Sequence, residues 1–464
     1  MESIVQTINN TVWGVPVLLM ILGVGCYLCI QTKFVQIRLF PKAIQSFLRH
    51  FKKSNNTDGV SSYRALCTAL AATVGTGNIA GVAGAIAIGG PGAIFWMWIC
   101  AFLGMVTKFA EASLAVRYRQ KNAAGEFVGG PMYMIENTIP RWKWMAFLYC
   151  FFGAVAAFGV GNATQINAVI GGVNSIITLF GGNSSIVTDL LMGLMFALLI
   201  LYVFVGGATR IGSIAEKLVP YAAGGDMILC VIALIARIQV IPSAFAQILC
   251  GAFAPSAVTG GVVGSVIIAL RVGASRGVFT NEAGMGTASI AHATSNVSHP
   301  VEQGLMGIME VFLDTIVICT MTALVILCSD VPIPYGLDTG ILLTTEAFSK
   351  IFGAWICIPI TAFLCCFAVA TIIGWGLYGV RCIQYLLGEK SWKGFACMQA
   401  VTALVSAALG TGTVWLLAET VNGLMAMPNL IVLAYLTPEL KRLCKQYQKH
   451  FQRNKPRLLD KAYS

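Results

Sequence analysis

The chain has 464 residues, of which 57% are apolar and 11% charged, with a mean hydropathy of +0.79. Soluble domains carry about 25% charged residues, so this composition excludes both a water-facing enzyme surface and a disordered chain and points to one integral membrane body. The net charge of +11 would suggest nucleic acid on a soluble protein; here the positions of the charges decide its meaning.

A membrane helix needs about 20 mostly apolar residues. That rule predicts eleven spans, at 12–30, 65–90, 93–116, 144–172, 185–205, 218–236, 258–275, 303–328, 354–384, 394–416 and 418–437. The first is read as a helix and not as a signal peptide, because only Glu2 precedes it as a charge and no small-residue cleavage site is present. Of the 30 Lys and Arg, 27 fall in alternate loops or at the span ends bordering them; Arg237 and Lys350 fall on the other side and Lys108 lies within span 3. The positive-inside rule then places the N-terminus outside and the C-terminus in the cytoplasm. Segment 41–53 sets Ile44, Phe47, Leu48 and Phe51 at helical spacing opposite basic residues and reads as an interfacial helix. The tail 438–464 is basic and polar, is expected to be partly mobile, and suits anionic lipid headgroups better than nucleic acid.

Chain-order reading of the spans then isolates the residues that interrupt their apolar character. Fifteen cysteines include one CxxC pair, Cys26 and Cys29, inside span 1 and without a partner pair at zinc spacing; they read as small apolar packers. Span 2 carries Ala-Thr-Val-Gly-Thr-Gly-Asn-Ile-Ala-Gly at 72–81. Two glycines flanked by Thr73, Val74 and Thr76 weaken the helix, and non-helical backbone at membrane depth is tolerated only where it lines an enclosed or watery cavity. Freed amides there can hold a carboxylate and freed carbonyls a cation. Asn78 adds a polar group that tight packing does not need.

In span 3, Lys108 and Glu111 stand three apart and are expected to pair. Span 4 offers Asn162 and Gln165, whose amides can accept an ammonium, donate to a carboxylate or bond across helices. Asp226 follows Gly224-Gly225 in span 6 and is the lone-carboxylate candidate for proton coupling. Span 7 is rich in glycine (Gly260, Gly261, Gly264, Gly273) and is expected to bend or break near 267–273; the loop 274–298, with Asn281, Glu282 and His292, reads as part of a cytoplasmic gate. Glu310 and Asp314 share a face of span 8, as a proton relay, a cation site or partners for neighbouring hydroxyls. Eight tryptophans lie at or near span ends, as belt residues do; Trp375, inside span 9 one turn after Thr371, can line and shorten a pocket.

Without helix 1, spans 2–6 and 7–11 form two sets of five with opposite orientation, an arrangement that permits an inverted repeat. The resulting units are 1–64 (first helix and amphipathic segment), 65–236 and 257–437 (the two repeats), and 438–464 (the tail). No Walker-type GxxxxGK[ST] occurs, and among four histidines none is clearly mid-span and no HExxH appears, so neither ATP-driven transport nor intramembrane hydrolysis is favoured; an ion channel is a further alternative.

Three stretches carry a family resemblance: ALCTALAATVGTGNIAGVAGAIAIGGPGAIFWMW (65–98), ASRGVFTNEAGMGTASIAHA (274–293) and DTIVICTMTALVIL (314–327). They resemble the alanine/glycine:cation symporter family of prokaryotic carriers, similar in turn to the leucine-transporter superfamily, and the likeness runs along essentially the whole chain. It implies an all-α fold with one extra N-terminal helix before a five-plus-five inverted repeat with discontinuous helices. It also implies a carrier, not an enzyme, importing alanine or glycine with Na⁺ across the bacterial or archaeal cytoplasmic membrane. By the resemblance, amides around Gly75, Thr76 and Gly77 hold the substrate carboxylate, and Thr73 and Asn78 lie beside substrate or a second cation. Gln165, Ile268 and Trp375 complete the pocket. The carbonyls of Ala71 and Val74 with the Thr371 hydroxyl form a sodium site, as a hard cation wants oxygen ligands. Two departures stand out. Asp226 matches no position of the family pattern, and Ala370 occupies a place beside Thr371 where a second hydroxyl is often found; Na⁺ and H⁺ therefore both remain open as coupling ion.

Overall fold

Apolar chain in hydrocarbon has no water to satisfy its amides and carbonyls, and a helix satisfies them internally. The computed structural model describes residues 7–9, 11–52, 60–123, 125–337, 340–408 and 411–460; Glu2 lies outside them, as do parts of the expected first unit, tenth span and tail. The helices are α1 Val15–Thr32, α2 Phe40–Lys52, α3 Ser62–Thr73, α4 Val82–Gly89, α5 Gly92–Arg117, α6 Lys143–Phe158 and α7 Thr164–Leu179. They continue with α8 Ile186–Val205, α9 Gly207–Ala236, α10 Ile241–Phe253, α11 Val266–Asn281, α12 Thr287–His292 and α13 Pro300–Val311. The last six are α14 Thr320–Cys328, α15 Ile341–Phe352, α16 Cys357–Leu387, α17 Trp392–Ser406, α18 Thr411–Tyr435 and α19 Thr437–Asp460.

Among the described residues, seven helices are long and apolar enough to cross a membrane, and an eighth span arises if α3 and the segment Gly77–Gly89, bent by 51°, count as one. Three of the eleven expected spans correspond to shorter pieces. The first is α1, and the others are α11 and α17, of 16 and 15 residues.

Several expectations need correction. Span 7 does not break near 267–273: α11 is continuous there, and its glycine density has other causes. Gly260 and Gly261 turn the chain with positive φ (62° and 89°), whereas Gly273 lets α11 approach α5, since a Cβ on it would sit 2.3 Å from the Ala93 carbonyl oxygen. The break falls at 282–286, where Glu282, Gly284 and Gly286 have φ of 54°, 95° and 79°. The supposed gate loop 274–298 is therefore mostly α11 and α12, with Asn281, Glu282 and His292 buried. Arg276 forms an ion pair with Glu419 at 3.1 Å, and Trp13 donates to the Glu419 carbonyl at 2.7 Å. Arg276 thus lies at the end of the bundle where α1 begins, opposite the basic loops. The loop 237–257 contains α10, packed on α5, and the tail is helical over Thr437–Asp460, burying Leu440, Leu443, Cys444 and Tyr447.

Two packed groups result. Helix α5 carries α11 and α13, while α16 carries α6, α7 and α9, with α8 on α17. The broken strand of chain between α3 and α4 lies where these groups meet.

Candidate substrate and cation site

The α3–α4 break opens at Val74, whose backbone (φ −76°, ψ 99°) leaves the helix, and closes in a π-helical turn, Gly77–Gly81. Asn78 caps it: its Oδ1 accepts from the Gly75 amide at 2.9 Å. In an uninterrupted helix that amide would bond to the Ala71 carbonyl. The Asn78 amide goes to the Gly75 carbonyl at 3.2 Å instead of to that of Val74. Both carbonyls expected to hold a cation have thus lost the donors a regular helix would supply.

Across from them stands Thr371 of α16. Its hydroxyl is buried and, among the described residues, has no hydrogen-bond partner, and a Cβ on Gly75 would come within 2.4 Å of it and 3.7 Å of Gln165 Oε1. Only glycine at 75 leaves this space open. Two freed carbonyls and an orphaned hydroxyl are a neutral oxygen set of the kind a hard monovalent cation takes.

Gln165 joins the same cluster. Its Oε1 accepts from the Thr76 hydroxyl at 3.0 Å and its Nε2 donates to the Val160 carbonyl at 3.0 Å. The latter belongs to a second π-helical turn, Gly159–Ala163, between α6 and α7. Such turns leave carbonyls available inside a helix and are frequent at functional sites. Trp375 is fully buried one turn beyond Thr371, against Gly161, where a Cβ would sit 2.3 Å from the Trp375 Cβ. Gly374 lets α16 lie on the Ala72 backbone, 2.8 Å from a would-be Cβ. Thr73 is buried, with its hydroxyl turned back to the Ala69 carbonyl at 3.3 Å. All these residues are shut off from both faces, so the site is closed.

Ile268 is not brought there. It sits in the first turn of α11, 42% exposed, more than three turns before the 282–286 break. Asn162 takes the interhelical role, donating to the Gln399 carbonyl at 2.8 Å. Lys108 does not pair with Glu111 but with Glu310, at 3.2 Å, both fully buried; Glu310 also meets His292 Nε2 at 2.9 Å. Glu111 instead accepts from the amides of Gly284 and Gly286, each at 3.0 Å, and from Asn429 Nδ2 at 2.7 Å. It holds open the break in span 7. Glu310 and Asp314 therefore serve separate partners, because a third π-helical segment, Phe312–Cys319, intervenes and turns Asp314 toward Asn78.

The functional residues that sequence reasoning missed are Glu111 and Asn429 as keepers of the second break. A signal was present: Gly284-Met-Gly286 repeats the Gly-x-Gly spacing of Gly75-Thr-Gly77.

The sodium:alanine symporter family profile matches residues 1–461. The chain belongs to that family. Within it, the sodium/alanine symporter AgcS of Methanococcus maripaludis is 41% identical over 443 residues, covering 94% of each chain. A probable sodium/glutamine symporter, GlnT of Bacillus subtilis, is 35% identical over 449 residues, 96% of this chain and 91% of that one. Among solved structures, MhsT in complex with L-phenylalanine superimposes with a TM-score of 0.56 at 14% identity, over 84% of this chain and 99% of that one. This symporter accordingly has the leucine-transporter-like fold and is a multi-pass, sodium-coupled amino-acid carrier.

Proposed function

We propose that the chain imports a small neutral amino acid, alanine or glycine, together with Na⁺, by alternating access around the cluster just described. The observation that carries this reading is the release of the Ala71 and Val74 carbonyls opposite the orphaned Thr371 hydroxyl. Na⁺ is held there as co-substrate; the amino acid carboxylate is held by backbone amides at Thr76 and Gly77, with Thr73, Gly75, Asn78 and Gln165 beside it. Coupling follows from adjacency, since cation and carboxylate are bound by opposite ends of peptide groups in one break, with the dipole of each half-helix favouring its own ion. Two repeats, 65–236 and 257–437, rock around the site; matching breaks in spans 2 and 7 support the inverted repeat. The distribution of basic residues supports a C-terminus in the cytoplasm and an N-terminus outside, in the cytoplasmic membrane of a prokaryote.

A second reading, H⁺ as coupling ion, is favoured by one observation. Asp226 is buried in α9, and its Oδ2 has no hydrogen-bond partner among the described residues. Uptake of labelled alanine by liposomes containing the purified protein separates the two, with a sodium gradient in one arm and a pH gradient in the other. Full uptake without sodium overturns the sodium assignment.

Trp375 sets the size limit. Trp375→Ala is expected to admit valine- and leucine-sized substrates, measured as competition against labelled alanine uptake; an unchanged competition profile removes Trp375 from the pocket. Lipid is the other partner. A groove of about 500 Å³ between the end of α1 and α19 is lined by Tyr27, Gln31, Lys441, Arg442, Lys445 and Lys449, a cationic setting that fits the phosphate of an anionic phospholipid.

A further inference from the structure

The two helix breaks are joined by one unbroken chain of buried hydrogen bonds. It starts at the Gly75 amide, which donates to Asn78 Oδ1 at 2.9 Å. Asn78 Nδ2 then donates to Asp314 Oδ1 at 2.7 Å and to the Asp314 carbonyl at 3.1 Å. The Thr315 hydroxyl donates to Asp314 Oδ2 at 2.7 Å and accepts from Asn281 Nδ2 at 3.1 Å. The chain ends where Asn281 Oδ1 accepts from the Ala283 amide, at 3.0 Å, inside the second break. Asn78, Asp314, Thr315 and Asn281 are all 0% exposed.

The two ends are built alike. In each, an asparagine carbonyl caps an amide of its own break and turns its amide group toward the π-helical segment of span 8. Within that segment Asp314 is the one acceptor with oxygens facing both ways, and among the described residues no Lys, Arg or His forms an ion pair with it. A carboxylate at bilayer depth is expensive on insertion scales, about 2.5–3.5 kcal/mol. A simple packing role would be met by an apolar residue, whereas Asp314 links the asparagines of two different breaks, Asn78 directly and Asn281 through Thr315.

We propose that Asp314 is a positioning residue that ties the break in span 2 to the break in span 7, so that ordering of the first by Na⁺ and substrate is passed to the second. It acts through Asn78 on one side and through Thr315 and Asn281 on the other, and touches neither bound ion nor substrate. The proposal rests on the reading of residues 71–78 as the binding segment, and its test keeps the two apart. It adds a physical link to what rigid rocking alone would require, because the two breaks are separate flexible points that must close together. Hydrogen-bonded links between low-stability segments transmit ordering only while every bond in the series is present.

Amide hydrogen exchange on the purified full-length protein in lipid nanodiscs reads both breaks at once. In the wild type, adding Na⁺ and alanine together slows exchange about fivefold or more at 72–78 and also at 281–286. Thr315→Val cuts the chain without touching span 2: alanine still binds, exchange slows at 72–78, and the slowing at 281–286 falls below about twofold. Asn281→Ala, cut at the other end, gives the same dissociation and serves if the valine variant does not fold. Asp314→Asn keeps an acceptor for Asn78 and gains a donor for Thr315, so both breaks still slow. A merely structural role changes thermal stability and both segments alike. Slowing at both breaks in Thr315→Val and Asn281→Ala overturns the proposal. So does loss of alanine binding in Thr315→Val, which would put that hydroxyl in the binding site itself. Failure of the wild type to bind alanine with Na⁺ refutes the functional reading instead.

Discussion

Replacing Thr371 with alanine is expected to raise the sodium concentration for half-maximal alanine uptake by about tenfold or more, equivalent to roughly 1.4 kcal/mol. The residue contributes the only side-chain oxygen to the proposed cation site. Its hydroxyl is buried without a hydrogen-bond partner among the described residues, so none of their polar groups depends on it for satisfaction. Removing it leaves the packing of α16 on Ala72 through Gly374 in place. Expression and thermal stability should therefore change little while cation affinity falls. Thr371→Ser keeps the oxygen and should stay within about threefold of the wild type, less than 0.7 kcal/mol. Because Ala370 offers no second hydroxyl, the loss cannot be shared with a neighbour. Sodium dependence that is unaltered in Thr371→Ala shows that the assigned ligand is wrong.

The largest effect on stability is expected at Glu111. Its carboxylate is fully buried and receives two backbone amides of the span 7 break and the Asn429 side chain. Asn429 Nδ2 is also within 2.9 Å of the Gly284 carbonyl, so the break keeps one tether when Glu111 is cut back. Glu111→Ala leaves at least two buried amides unsatisfied, and each costs about 1–3 kcal/mol. A loss of about 3–5 kcal/mol follows, enough to lower the unfolding temperature by many degrees or prevent accumulation of folded protein. Glu111→Gln, with its oxygen in the place of Oε1, retains the acceptor that the two amides and Asn429 share, and its NH₂ group takes the place of Oε2, which has no hydrogen-bond partner among the described residues; it should recover more than half of the lost stability. Thermal unfolding of both variants in the same detergent checks this. Equal stability of Glu111→Ala and wild type contradicts the role given to the carboxylate.

The comparison of these residues shows what was legible in the chain and what was not. The first break was readable because Gly75, Thr76, Gly77 and Asn78 are contiguous, so local composition alone betrays a helix that cannot continue. Gln165 and Trp375 stood out as an amide and a ring inside apolar spans, and Thr371 as a cation ligand came from the family resemblance; the structure brings Thr371 and Gln165 to that break, with Trp375 one turn beyond Thr371 against Gly161. The second break was misplaced by glycine density. Glycine serves two ends, turning the chain and permitting close approach, and a count does not tell them apart: Gly273 answers to Ala93, while Gly284 and Gly286 answer to backbone torsion. Lys108 and Glu111 were paired by helical spacing, yet both point to residues more than 150 positions away, Glu310 and Gly284 among them. Such partners depend on how helices far apart in sequence meet, which neither periodicity nor composition encodes. The charge rule was less exposed to this. It relies on many residues at once, and moving Arg276, and with it Arg271 earlier on the same helix, to the opposite end leaves its sense unchanged.

The measurement that bears most directly on the whole account is simultaneous uptake of radiolabelled sodium and radiolabelled alanine by liposomes containing the purified protein, at fixed and equal pH on both sides. The account predicts that alanine stimulates sodium entry, that sodium stimulates alanine entry, and that Thr371→Ala weakens both together. Alanine entry at full rate with no accompanying sodium would contradict it.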